Sequence, residues 1–292
     1  LLTMRLGITG ASGFIGGQVS RLAAARGWEV VPFSRQPRDA RTRRLVPGEP
    51  ADVDGLDAVL HLAGEPVVGR WTPEKRRRIM DSRVMGTRSV AEGFARAAHP
   101  PRVLVSSSGI GYYGDTGEHE VTEDAPPGRG FLAEVCRAWE REAMEVRNAR
   151  VVILRIGLVL GRGGGTMQRL LPVFRAGLGG RLGSGRQWMS CIHVDDIAGL
   201  AMWAIGQEGL VGPVNAVMPR PVTNADFTRL LARAVHRPAI LPAPAFVLRT
   251  VLGAMSSLLL DSSRVRPGVA EQRSYPYDFR DVEQALDEVV RR

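Results

Sequence analysis

The chain has 292 residues, with 39 Lys or Arg against 30 Asp or Glu, a formal charge of +9 at pH 7. With 44% hydrophobic and 24% charged residues it reads as an ordinary soluble globular protein of one or two domains, and the absence of any uncharged apolar run of about 18 residues argues against a membrane span. Only Lys75 is a lysine, which leaves 39 − 1 = 38 arginines, so chemistry that needs a lysine has a single candidate.

In chain order, Met4–Gly10 is a short apolar strand and Ala11–Arg26 a helix, with Phe14, Ile15, Val19, Leu22 and Ala23 at spacings of three and four. Strands follow at Glu29–Phe33 and Ala58–Leu62. A long helix covers Pro73–Ala98, with Thr72 before it and Pro73 at its first position. Val103–Ser107 and Val151–Gly157 are strands on either side of a helix at Phe131–Val146. Strands alternating with helices predict an α/β fold, a Rossmann-type doubly wound parallel sheet. The pattern changes after the Gly- and Arg-rich stretch Gly161–Gly185, which holds one helix at Met167–Gly177. Val194–Ile205 is helical, with Asp195 or the residue before it as its cap, and Val214–Val217 is a strand. Thr223 opens a helix with the hydroxyl–x–x–acid spacing to Asp226. Pro238–Pro244 punctuates the chain before a last, mostly helical stretch. We expect a nucleotide-binding unit over 1–240, its sheet core mainly in 1–160 and 188–217, and a smaller helical unit over 241–292 that completes a discontinuous substrate-side lobe.

Two cysteines, Cys136 and Cys191, make neither a disulfide framework nor a structural zinc site, and no metal is expected. No charged-then-apolar leader opens the sequence, so a cytoplasmic protein is expected, monomeric or homodimeric. The basic clusters Arg35–Arg44 and Lys75–Arg78 have no interleaved aromatics to stack on bases, which argues against a nucleic-acid partner.

Gly10-Ala-Ser-Gly13-Phe-Ile-Gly16 follows a strand and opens a helix, the setting of a dinucleotide-binding loop. Its glycines let backbone amides approach a pyrophosphate, the helix N-terminus adds positive potential, and Ser12 adds a hydrogen bond. The second strand ends in Phe33-Ser34-Arg35, where an NAD site would carry an acid for the ribose hydroxyls. A hydroxyl and a guanidinium there suit a 2′-phosphate, so NADP(H) is expected over NAD(H).

TGASGFIG (Thr9–Gly16), HLAG (His61–Gly64), SSSGIGYYG (Ser106–Gly114) and IHVDD (Ile192–Asp196) together resemble the extended short-chain dehydrogenase/reductase superfamily. FLAEVCRAWE (Phe131–Glu140), RIGLVLGRGGG (Arg155–Gly165) and GSGRQWMSCIHVDD (Gly183–Asp196) look like its atypical epimerase branch. The resemblance spans nearly the whole chain. It implies that Leu62, Ala63 and Gly64 line the cofactor, that Ser106 and Ser107 sit beside the nicotinamide ribose, and that Leu158 packs near the nicotinamide.

The superfamily's Tyr-x-x-x-Lys unit is missing. The tyrosines are Tyr112, Tyr113, Tyr275 and Tyr277, and four residues beyond them stand Thr116, Gly117, Phe279 and Asp281. Aligned with the family, Leu132 or Phe131 falls at the tyrosine position, Cys136 at the lysine and Arg83 at the usual Asn. Three readings follow. Arg83 supplies the missing cation and holds ribose or phosphate; Ser108 hydrogen-bonds a substrate oxygen while Tyr112 or Tyr113 gives the proton; or the site only binds the nucleotide. Cys136 is a nucleophile if nearby arginines lower its pKa, and otherwise a small core residue, as Cys191 is. Arg162 and Arg186 suit an acidic or phosphorylated substrate. The expected function is an oxidoreductase or epimerase-like activity on an unidentified small molecule. The alternative is a regulatory or scaffold protein that binds NADP(H) without turnover.

Overall fold

The computed structural model describes residues 3–291. Seven parallel strands form the central sheet: β1 (Arg5–Thr9), β2 (Glu29–Ser34), β3 (Arg43–Arg44), β4 (Ala58–His61), β5 (Val103–Gly109), β6 (Arg150–Ile156) and β10 (Gly212–Ala216), in the spatial order β10-β6-β5-β4-β1-β2-β3. Strand order reverses at β1, so the crevice outside the strand ends opens there, next to the Gly10 loop.

Side-chain alternation covers both faces of this sheet. Leu6, Ile8, Leu60 and Val105 pack on one face with Val19 and Ala23 of α1 (Phe14–Ala25). Ile197 and Leu200 of α5 (Val194–Gly206) join them. Val31, Phe33, Val59 and Leu104 pack on the other with Val90 and Phe94 of α2 (Pro73–Arg96) and Ala143 of α3 (Phe131–Ala143). Arg88 on α2 grips Glu142 on α3 through two hydrogen bonds of 2.9 and 2.8 Å, tying these helices together.

The long helix starts where Thr72 accepts a hydrogen bond from the Lys75 amide, with Pro73 in its first turn. It stops at Arg96 because Ala97 is extended (φ −64°, ψ 135°) ahead of Pro100 and Pro101. The cap of α5 is His193, whose Nδ1 accepts from the Asp195 amide at 3.3 Å, rather than Asp195 itself. Two short sheets escape the sequence pattern: β7 (Leu158–Leu160) beside β9 (Cys191–His193), and β8 (Trp188–Met189) beside β11 (Val222–Thr223).

Beyond the sheet, α4 (Met167–Arg175), α6 (Asn224–Ala234) and α10 (Val282–Val290) share a third core. It is built from Met167, Phe227, Leu231, Leu286 and Val289, and Cys191 is buried within it. Asp196 pins the returning chain by accepting from the Asp278 and Phe279 amides at 2.8 and 3.0 Å. The C-terminal stretch also contains α7 (Ala245–Leu252), α8 (Ser257–Leu260) and α9 (Gly268–Gln272). Ser257, Leu258 and Asp261 from it reach the mouth of the crevice. Among the described residues no helix is long and apolar enough to cross a membrane.

Candidate functional site

A cleft of about 680 Å³ runs along the crevice. Its outer end is made of backbone. Gly10 leaves β1 with φ +71°, and Gly13 caps α1 with no side-chain hydrogen bond and no acid in the first turn, among the described residues. The first amides of α1 therefore lack intrahelical partners and carry the positive end of the helix. A Cβ on Gly16 would lie 2.2 Å from the Gly10 carbonyl oxygen, so no side chain fits beneath the loop. Gly10, Gly13, Phe14, Ile15 and Gly16 all line the cleft. The Phe14 ring lies on the glycine-rich loop after β7, where a Cβ at Gly164 would meet it at 2.3 Å.

The stretch after β4 is positioned by a buried relay. Thr9 Oγ1 accepts from the amides of Leu62 and Ala63, both at 3.0 Å. With both lone pairs engaged, its hydroxyl proton goes to His61 Nδ1 at 2.8 Å, and Nε2–H of His61 donates to Thr87 Oγ1 at 3.0 Å. Burial, with help from the Arg83 charge, pulls His61 down to about 4, so the imidazole is neutral. Leu62 and Gly64 line the cleft. Arg83 backs Gly64, donating to the Glu65 carbonyl at 2.9 Å and lying over the Trp139 ring at 4.9 Å. The lone lysine, Lys75, pairs with Glu65 at 2.7 Å.

At the inner end, Ser107, Ser108, Cys136 and Leu158 line the cleft. Ser107 donates to the His61 carbonyl at 2.8 Å. Ser108 donates to Glu140 Oε1 at 2.7 Å. Glu140 is held by Arg155 through two hydrogen bonds, both 2.9 Å, and Arg155 goes on to donate to the Tyr113 hydroxyl at 2.8 Å. Cys136 and Glu140 lie one helical turn apart on α3, which is why both meet Ser108 at the end of β5. Sequence reasoning named neither Glu140 nor Arg155 as a site residue. The available signal was a guanidinium inside the apolar strand VVILRI, which demands a buried partner.

Several expected positions fall elsewhere. The Tyr113 hydroxyl donates to Asn215 at 2.7 Å, and burial pushes its pKa up to about 12. Neither Tyr113 nor Tyr112, whose ring Arg155 covers at 3.5 Å, lines the cleft, so both have been recruited to hold Arg155. Ser106 is buried in the sheet and Ala63 turns toward the core behind the cleft. Ser12 and Arg35 are exposed beyond the cleft lining, and Ser34 accepts from the Gln36 amide in the turn after β2. The Cys136 thiol donates to the Gly109 carbonyl at 3.5 Å, and burial pushes its pKa up to about 11, opposite to what a nucleophile needs. Arg162 is occupied by Glu288 and Arg186 is exposed, and neither reaches the cleft, so the arginines read as a grip on an acidic substrate do not provide one.

This geometry agrees with what the chain is similar to. Residues 6–216 match the NAD dependent epimerase/dehydratase family, and residues 243–289 match a domain of unknown function, DUF1731. The mouse protein "Epimerase family protein SDR39U1" is 36% identical over 98% of this chain and all of its own length. The crystal structure of human SDR39U1 (isoform2) with NADPH superposes with a TM-score of 0.93 at 33% identity, covering 98% of this chain and 99% of that one. The nucleoside-diphosphate sugar epimerase from Corynebacterium glutamicum superposes with a TM-score of 0.82 at 30% identity, over 99% of this chain and 58% of that one.

Proposed function

The chain belongs to the NAD dependent epimerase/dehydratase family, and we propose that it is an NADP(H)-dependent oxidoreductase or epimerase-like enzyme acting on a small molecule in this cleft. The observation that carries the reading is continuity. One cleft joins a backbone cradle at Gly10–Gly16 to Ser108 and Cys136. The cradle fits a pyrophosphate, because the bare Gly16 lets the Gly10 loop pack tightly against the start of α1 and nothing caps the helix, among the described residues. The NADPH in the human relative supports the same choice.

The amides of Phe14 and Ile15 would hold the pyrophosphate, since that of Gly13 already donates to the Gly10 carbonyl at 2.9 Å. Arg35, at the end of β2 and close enough for its charge to act on Glu65, would meet a 2′-phosphate. A bound NADP(H) supplies or accepts hydride. The protein's part is the proton. Ser108 commits its own proton to Glu140, which leaves its lone pairs to accept from and orient a substrate hydroxyl. Cys136, held as the neutral thiol, is the proton donor at Sγ, and the Arg83 charge favours the thiolate left behind.

Titration with NADPH and NADH tests the cofactor, with tighter NADPH binding expected and a reversed preference in Arg35→Asp. NADH binding more tightly to the unaltered protein overturns the NADP(H) assignment. NADPH consumption against a carbonyl library tests the chemistry, with turnover lost in Cys136→Ala while NADPH affinity persists. Turnover that survives both Ser108→Ala and Cys136→Ala overturns the site assignment. The missing Tyr-x-x-x-Lys pair favours a second reading, a nucleotide-binding protein without turnover, which predicts NADPH binding and no consumption with any carbonyl.

A further inference from the structure

We propose that the substrate half of the cleft takes a neutral oxygen function, a carbonyl or its alcohol, carried on a hydrocarbon body, and not a nucleotide sugar. This rests on the oxidoreductase reading of the same cleft and deepens it.

Three observations converge. The walls beyond Ser108 are apolar: Val67 and Val68 come from the stretch after β4, Phe131 and Leu132 from the start of α3, and Leu258 from the C-terminal stretch. Val68 and Leu258 are 45% and 37% exposed although each lines a concave surface, so apolar area faces the cleft and stands to be covered by a ligand. The two sides from which they come meet directly, with the Gly69 amide donating to Met255 Sδ at 3.1 Å.

The polar groups fit the same chemistry. Ser108 and Cys136 at the inner end are both neutral, matching a carbonyl or hydroxyl rather than an anion. Beyond the glycine cradle assigned to the cofactor's own pyrophosphate, a nucleotide sugar's second diphosphate is gripped best by charge-assisted hydrogen bonds from converging cations. In the cleft lining Arg83 is already committed to the Glu65 and Ile79 carbonyls, and Arg129 stands alone at the rim. The Asp261 carboxylate lines the same cleft and repels a diphosphate. Hydrocarbon binding to such walls is proportional to the area removed from water, whereas sugar-nucleotide binding is not.

The test is a binding titration followed by tryptophan fluorescence, using 2-butanone through 2-octanone as probes and UDP-glucose as the competing class. Each series is run on the bare protein and on the protein saturated with NADP+, where no turnover occurs. Affinity should rise about fourfold per methylene while the slot fills, the ratio equivalent to the roughly 0.8 kcal/mol of one buried CH₂. UDP-glucose should bind more weakly than 2-octanone. Leu258→Asp and, independently, Val68→Asp should flatten the chain-length dependence and leave NADP+ affinity unchanged. Affinity independent of chain length, or UDP-glucose binding tighter than every ketone, overturns the proposal even when NADP+ binds. Failure of NADP+ to bind removes the oxidoreductase reading instead, and the ketone series on the bare protein still decides what the slot accepts.

Discussion

The two ends of the cleft are made of different materials. The outer end is backbone: a left-handed glycine, an uncapped helix and the absence of a side chain at Gly16, all within seven consecutive residues. The inner end is a buried charge network in which Ser108, Glu140 and Arg155 come from β5, α3 and β6. A cradle of amides keeps its charge distribution at any pH and needs only local geometry. The network depends on every member being present, because a buried charge without its partner is costly. Perturbations should therefore separate the two ends.

The largest effect is expected at Glu140. Glu140→Gln leaves the Arg155 guanidinium, only 4% exposed, facing a neutral amide. Breaking such a pair should cost about 3–5 kcal/mol in urea denaturation. The double variant Glu140→Leu, Arg155→Met should recover most of that, since two apolar groups replace two charges together. Equal losses in the single and double variants would mean that the pair is not the network's anchor.

Next comes His61, the hinge between the two ends. Its folded pKa of about 4 lies below the ordinary value of 6.5. The folded state thus excludes a proton that the unfolded chain binds. The stability this contributes is complete above pH 6.5 and is lost as pH falls through about 4, amounting to about 3 kcal/mol over that window. Asp196 works in the opposite sense: burial raises it to about 6, so its contribution is complete below about 3.8 and lost as pH rises through 6. Subtracting the stability curve of His61→Gln from that of the unaltered protein isolates the histidine. A difference that stays flat between pH 6.5 and 4 would show that His61 is not held neutral.

Gly16→Val attacks the outer end. Its Cβ meets the Gly10 carbonyl, which is backbone and cannot swing aside. NADPH affinity should fall roughly 100-fold or more, about 2.7 kcal/mol, and the urea midpoint should fall as well, because the loop backbone must shift to admit the side chain. An unchanged NADPH titration would mean the pyrophosphate lies elsewhere.

Legibility in the sequence follows the same division. The parallel sheet and its flanking helices could be read because strand–helix alternation and helical periodicity are local, as is the glycine loop. The two-residue strand β3 could not be, because Arg43 and Arg44 carry no strand pattern and pair only because Phe33 and Ser34 lie beside them. Family position put Cys136 at the missing lysine, but whether that thiol is acidic depends on burial, which spacing does not encode. Tyr113 sits beside Ser108 in the motif, yet its hydroxyl points to Asn215, 102 residues away in the chain. Glu140 looked like one more charge in an amphipathic helix until Arg155 arrived from the next strand to bury it. Side-chain chemistry assembled from three elements is visible only when all three are placed.

The smallest structural effect falls on Ser108, and it gives the finest separation. Ser108→Ala removes one hydrogen bond to Glu140, whose two oxygens both remain paired with Arg155. A carboxylate still satisfied by a guanidinium loses little, so the urea stability should drop by only about 1 kcal/mol. NADPH affinity should be unchanged, because the cradle shares no partner with Ser108. Turnover should nevertheless fall sharply, since a methyl cannot orient a substrate hydroxyl. Ser108→Thr, which restores the hydroxyl, should recover it in part. A structural role alone would move stability and turnover together, both in the alanine variant and in the recovery by threonine. A loss confined to kcat, with cofactor binding and folding intact, assigns the hydroxyl to the chemistry and the carboxylate behind it to positioning.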